Sequence, residues 1–550
     1  MRLHYSFAVF SLAVTLSLHA SADVVTDWNI IAIDAARVFA NPNPATRAIA
    51  IGQLAAYDAV TAIDKSGEPY LPGTIPVTAP ASVDAAAIQA FHDALAFAVP
   101  AKQGDLDKAA EKALAKLADG PAKTNGIAVG VAAAAAIIAA RTNDGAETPV
   151  AYPGEEALGK WRPTPAGNLP ANTPEWATLK PFALSAPNQF DPGPPPALSS
   201  GRYAADLLET KVYGSKTGSA RSADQTNIAQ FWAQQTQLPV FLVARTFSRA
   251  RGLSLDENAR FFGQLSVALA DARIAVWNAK YEYGLWRPVT SINSSLDDGN
   301  PDTTPDPEGD WTPLLETPNH PEYVSGHSAT GAAGAVVLAH WFGDDNSFSV
   351  TSETLVGAAY TRSFTRFSDA AQENADSRIY GGIHYRFSNE AGLELGEKVA
   401  DYVLAHQLTA SPESGGAGGA GGTGGASGEG AGGNSTAGAP DVPSAGSPSV
   451  AGTGGTALGG TAGTPSNAGT TSSAPAEAGD ATTTEAGAAT GGASAGGKSG
   501  AGGGKTAREK SDDSGCSVTG AARARGSVSR SAWLLAGLAL GLLKRRRFRS

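Results

Sequence analysis

Cysteine is almost missing from this chain. One residue in 550, Cys516, carries a thiol, so no intrachain disulfide can form. The sequence must hold itself together by burial alone, which a region of several hundred residues can do. Basic runs are also missing until the last residues, and the formal net charge is −11. That balance excludes nucleic-acid binding as the main task. Sets of long uncharged apolar runs are absent from the central region, which argues against an enzyme built from several membrane spans. Between 410 and 504 the chain has almost no large apolar side chains and consists of Gly, Ala, Ser and Thr. Such a stretch cannot offset its own ordering entropy.

These absences divide the sequence. Residues 1–22 have a basic Arg2, an apolar run from Phe7 to Leu18, and small residues at Ala20-Ser21-Ala22. This is the grammar of a secretory signal peptide, and it predicts export. Residues 23–409 form the globular region, 410–515 a disordered flexible tether, and 516–550 a terminal segment. That last segment joins an apolar stretch, Ala532 to Leu543, to the cluster Lys544-Arg545-Arg546-Arg547, as a stop-transfer or sorting tail does. With Gly515-Cys516 before it, the segment resembles myxobacterial C-terminal sorting signals, which implies anchoring at a membrane or cell surface.

The globular region reads as helix. Apolar residues recur with helical spacing over Ala45–Ile63, Ser82–Val99, Asp105–Leu117, Ser200–Tyr213, Thr226–Gln235, Leu255–Tyr283, His327–Phe342 and Glu390–Gln407. Asn125–Arg141 is Ala-rich and apolar nearly all round, which predicts a buried helix. The fold class expected is all-α: a large helical bundle with long Pro-rich loops over 152–196 and 297–321, followed by the disordered tether. The second loop is acidic but lacks the glycine and ligand spacing of a calcium loop.

Three segments carry chemistry. Lys280 and Arg287 are seven residues apart, two turns on one helical face, with Pro288 to break the helix. Two like charges so placed favour an anion between them. Ser325-Gly326-His327 stands at the mouth of an Ala/Val-rich helix, offering a hydroxyl, free N–H groups and an imidazole. Arg378 and His384 flank Gly381-Gly382, and the planar guanidinium suits a tetrahedral oxyanion. Each segment alone has a plain structural reading: a solvated face, a helix cap, a core histidine.

Together, Lys-x6-Arg-Pro, Ser-Gly-His and Ser-Arg-x5-His resemble in order and spacing the superfamily of vanadium-dependent haloperoxidases and acid phosphatases. TRAIAIGQLAAYDAVTAI, GPPPALSSGRYAADLLETKVYGSKTGSARSADQTNIAQFW and HPEYVSGHSATG extend the resemblance to its soluble bacterial haloperoxidase-like branch, over about Asp23 to His406. The resemblance implies vanadate as cofactor. It implies that Lys280, Arg287 and Arg378 neutralise the oxyanion and that Ser325 and Gly326 add hydrogen bonds. His327 would be the acid–base group. His384 would be the vanadium ligand or, in a phosphatase, the phosphoryl acceptor. The partners implied are hydrogen peroxide, a halide and an organic acceptor, with a phosphate ester as the alternative substrate. A non-catalytic surface protein is a third reading. Where many relatives carry an acid four residues after the last histidine, this chain has Ser388, which predicts weaker support of the site unless Glu390 substitutes.

Overall fold

The structure is a computed structural model that describes residues 23–410 apart from 74, 166, 295–298, 302, 304–308 and 353–359. The signal segment, the tether and the tail lie outside the described residues, as does part of the acidic loop. Thirteen α-helices and one two-stranded antiparallel hairpin are described, which bears out the all-α class.

The axis of the fold is α9, Leu255–Tyr283. Its start is fixed by a capping box, in which Ser254 accepts from the Glu257 N–H and the Glu257 side chain accepts from the Ser254 N–H. Its end is fixed by Gly284 in the left-handed conformation, φ 60°. At 1.5 Å per residue it spans roughly 43 Å. Most of its length is buried on every side, because helices pack against it from both directions. On one side lie α1 (Val24–Ala36) and α2 (Pro42–Asp64), with α3 (Val83–Ala98), α4 (Gln103–Leu114) and α5 (Pro121–Arg141) beyond them. On the other lie α11 (Gly326–Phe342), α12 (Phe367–Tyr380) and α13 (Arg386–His406). The connecting helices are α6 (Gly201–Gly214), α7 (Ala223–Phe231), α8 (Gln237–Arg251) and the short α10 (Pro288–Ile292).

Helix α5 differs from expectation. Only one face, including Val129, Ala133 and Ile137, is buried against α3 and α2, and Val131 is exposed. An alanine-rich surface mimics a buried helix in composition without being one. Among the described residues α5 alone is long and apolar enough to cross a membrane, and it is packed on the bundle. Helices α1, α8 and α12 and the hairpin β1 (Asp345–Thr351) with β2 (Thr361–Arg366) were not predicted.

Tight contacts place the chemistry-bearing segments. Helix α13 meets α11 through Gly392 and Gly396. A Cβ on Gly392 would lie 2.6 Å from the Ser325 carbonyl, and one on Gly396 would strike the Ala329 carbonyl. Gly382, at φ 75°, lets the turn before His384 press on the end of α6, where a Cβ would lie 2.5 Å from the Gly214 carbonyl.

Candidate oxyanion site

All seven sequence-predicted site residues meet between the end of α9, the start of α11 and the α12–α13 turn. Local geometry differs in one place from the helical reading. Lys280 is in the last turn of α9, but Arg287 lies beyond the Gly284 cap, in extended conformation as the N-cap of α10. The two converge because the chain turns, rather than by two turns of one helix. His384 stands in the turn before α13.

Arg287 is fully buried and holds the segments together. Its Nε donates to the His320 carbonyl at 2.8 Å and its Nη1 to the Ile383 carbonyl at 2.8 Å. Nη1 is also 3.3 Å from His384 Nε2, and Nη2 is 2.9 Å from His320 Nδ1. Lys280 donates to the Pro321 carbonyl at 2.9 Å and to the Glu322 carbonyl at 2.7 Å. Arg378 donates from Nη1 to the Trp232 carbonyl at 3.0 Å, and its buried Nε has no hydrogen-bond partner among the described residues.

The His384 ring is oriented by a carboxylate that sequence reading did not assign. Nδ1 donates to Glu322 Oε1 at 2.7 Å, and the Tyr385 N–H donates to the same oxygen at 3.0 Å. With the proton on Nδ1, the Nε2 lone pair faces Arg287. Ser388 Oγ is 3.5 Å from Nδ1, at the limit of a hydrogen bond, and its carbonyl accepts from the Ser325 N–H at 3.1 Å. Glu390 does not substitute for the missing acid: it is exposed and pairs with Arg202 at 2.7 Å. The expected weakness at Ser388 is therefore met by Glu322, from the H-P-E-Y-V-S-G-H segment.

Ser325 is the N-cap of α11. Its Oγ accepts from the Ser328 N–H at 3.4 Å and from the Ser328 hydroxyl at 2.8 Å. A Cβ on Gly326 would meet only ordinary contacts, the nearest at 3.5 Å from Trp277, so internal packing does not demand glycine there. His327 is half-buried and donates from Nε2 to the Gln234 carbonyl at 3.2 Å. The Asn374 amide holds the His327 carbonyl at 2.8 Å.

Two further residues complete the cluster. His320 is buried on Arg287, with its ring 4.8 Å from that of Trp277. Arg273, two turns before Lys280 on α9, donates to Asn43 and Thr330 under the start of α11. A lone arginine at that spacing inside LADARIAVWNA was the available signal for the second.

Burial holds the Arg273 and Arg378 guanidinium groups down to about 9 and Arg287 to about 10. Burial and then Arg287 hold Lys280 well below its ordinary value. Burial pushes Glu322 up to about 7 against the pull of Lys280 and Arg287. His384 and His320 are held low by burial, then by Arg287 and Lys280, and His327 by burial, then by Arg378 and Arg273. Four buried basic side chains thus share the cluster with one buried carboxylate, which Lys280 and Arg287 face. Each uncompensated like-charge pair in such a setting costs on the order of a few kcal/mol. A bound oxyanion relieves that repulsion, and Arg378 Nε is a buried donor with no acceptor among the described residues. The residues present fit vanadate or phosphate.

A family model, the VCPO second helical-bundle domain, matches residues 260–410, which include every residue of this cluster. A vanadium chloroperoxidase of Curvularia inaequalis is 26% identical over 179 residues, covering 25% of this chain and 29% of that protein. The match therefore spans less than a third of that relative's length. The crystal structure of the first bacterial vanadium-dependent iodoperoxidase superposes with a TM-score of 0.61 at 27% identity, over 72% of this chain and 99% of that one. A holo-type bacterial vanadium-dependent chloroperoxidase superposes with a TM-score of 0.52 at 16% identity, over 70% and 93%, a likeness of fold alone. In fold, and over residues 260–410 in sequence, the chain is similar to the vanadium haloperoxidases.

Proposed function

We propose that this chain is a vanadate-dependent haloperoxidase that oxidises a halide with hydrogen peroxide to a hypohalous species. The observation that carries the reading is the His384–Glu322 pair inside a cage of buried cations. A carboxylate on Nδ1 fixes the tautomer that leaves Nε2 free as a ligand, and raises its basicity. Lys280, Arg287 and Arg378 would hold the oxyanion's charge, with Ser325 and the Gly326 N–H as further donors. Vanadate, when bound, supplies a Lewis-acid centre that activates hydrogen peroxide toward halide without changing its oxidation state. His327, at the mouth of α11, would move the proton between peroxide and solvent. Burial, then Arg378 and Arg273, favour its neutral ring, while Nε2 donates to the Gln234 carbonyl.

The same cage suits a phosphoryl group, so a phosphomonoesterase with His384 as nucleophile is the second reading. Vanadium content of purified protein, with bromide-dependent halogenation assayed beside phosphate-ester hydrolysis, tests both. The haloperoxidase reading expects bound vanadium and peroxide-dependent halogenation; ester hydrolysis without halogenation would replace it. We also propose that the chain is exported and held at the cell surface by its tail. Fractionation of the full chain against one ending at Thr409 tests that, and an unaltered location would refute it.

A further inference from the structure

Hydrogen bonds around the candidate site form a circuit that begins and ends on α12. Glu373 Oε1 accepts from the Trp232 indole N–H at 3.0 Å. The Trp232 carbonyl accepts from Arg378 Nη1 at 3.0 Å. Two residues further on, the Gln234 carbonyl accepts from His327 Nε2 at 3.2 Å. The His327 carbonyl in turn accepts from the amide of Asn374, the neighbour of Glu373 on α12. The turn between α7 and α8 therefore presents two backbone carbonyls to two side chains of the site. A backbone carbonyl goes where its chain goes, so whatever fixes this turn fixes both contacts. Among the described residues the Trp232 carbonyl is the one hydrogen-bond acceptor of Arg378. A guanidinium is a rigid fork of five N–H donors. With a single bond to the protein, the aim of that fork follows the position of Trp232.

Trp232 is anchored through its indole, and the anchor is itself held. Arg362 of β2 donates from Nε to Glu373 Oε1 at 3.0 Å and from Nη2 to Oε2 at 2.6 Å. Such a bidentate pair fixes direction as well as distance. Both side chains are mostly buried, so solvent screens the pair little. Arg362 Nη1 also donates to Asp224 Oδ1, in the first turn of α7, at 2.6 Å. The hairpin thus holds the carboxylate, and the carboxylate holds the tryptophan. We infer that Glu373 is a positioning residue of the oxyanion site: through the Trp232 indole it sets the two carbonyls that aim Arg378 and His327. Glu373 acts on no reacting atom directly. The inference rests on the oxyanion reading of the site and extends it to a residue bound to the hairpin.

Binding of inorganic phosphate to the full chain, followed by titration calorimetry, is the test, and it needs no vanadium, peroxide or halide. Glu373→Ala should weaken phosphate binding by about tenfold, the scale of one charge-assisted hydrogen bond. Glu373→Gln should recover most of that loss, because its amide oxygen still accepts the indole N–H. Trp232→Phe, which keeps an aromatic ring and removes the donor, should match Glu373→Ala. The double variant should bind no more weakly than either single one, because both cut the same link. A residue that only stabilises the fold would lower the denaturant midpoint and leave phosphate affinity as it is. Unchanged affinity in folded Glu373→Ala would overturn the proposal, as would equal losses in Glu373→Ala and Glu373→Gln, or additive losses in the double variant. Should Glu373→Ala not fold, unchanged affinity in Trp232→Phe would overturn it in the same way. A parent chain that binds no phosphate would overturn the oxyanion site itself, and this proposal with it.

Discussion

The two histidines of the cluster are the same side chain in opposite settings. His384 has a carboxylate on one ring nitrogen and a guanidinium beside the other, and it is fully buried among cations. His327 is half-buried, and its ring nitrogen donates to a backbone carbonyl. A ligand needs a fixed tautomer and a lone pair that cannot wander. A proton carrier needs neutral partners it can leave. The contrast teaches that the environment, rather than residue type, assigns the roles.

Breaking the His384 side at its foundation should have the largest effect. Lys280→Met removes a buried cation and leaves the Pro321 and Glu322 carbonyls without their donor. Vanadate affinity should fall by at least about 100-fold, read by equilibrium dialysis, because a charged hydrogen bond and the seat of Glu322 go together. Next comes the carboxylate. Glu322→Gln should cost about 10–100-fold in vanadate affinity or halogenation rate, the usual effect of losing the partner of a metal-binding histidine. Ser388→Asp, which the missing acid first recommends, should weaken binding, because it crowds a second carboxylate against Glu322. Tighter vanadate binding in Ser388→Asp would show that Glu322 does not play the part given to it here.

The His327 side can be sharpened through its helix. Gly396→Ala presses a methyl on the Ala329 carbonyl of α11 and should cost about 1–3 kcal/mol of stability by denaturant unfolding. Gly104→Ala in α4, where a Cβ meets nothing within 4 Å, should instead gain about 0.5–1 kcal/mol. Smallest of all is Glu390→Gln, which should leave vanadate binding unchanged, because Glu390 faces solvent with Arg202.

Much of this was legible in the sequence, where local signals were strong. Helix α9 was read to its ends from apolar recurrence, and Ser254, Glu257 and Gly284 cap it at those ends. The seven candidate residues could be picked out together because order and spacing survive without knowledge of the path between them. What failed was local or long-range in a specific way. Helix α8 carries Pro239 and three arginines, and α12 (FSDAAQENADSRIY) is mostly polar, so neither shows a clean apolar stripe. Arg287 was assigned to the helix of Lys280 because spacing alone cannot see a left-handed cap. Glu322 was passed over because its partner is 62 positions away, across α11, the two strands and α12. Position 388 drew attention for the opposite reason: a pattern marked it, while the physical support had moved to another segment.

Vanadium retained after exhaustive dialysis, counted per chain in the parent, His384→Ala and His327→Ala, tests the central assignment most directly. The account predicts about one vanadium in the parent, almost none in His384→Ala, and substantial retention with little halogenation in His327→Ala. Equal loss of vanadium from both variants, or equal retention by both, would contradict the division of roles between the two histidines.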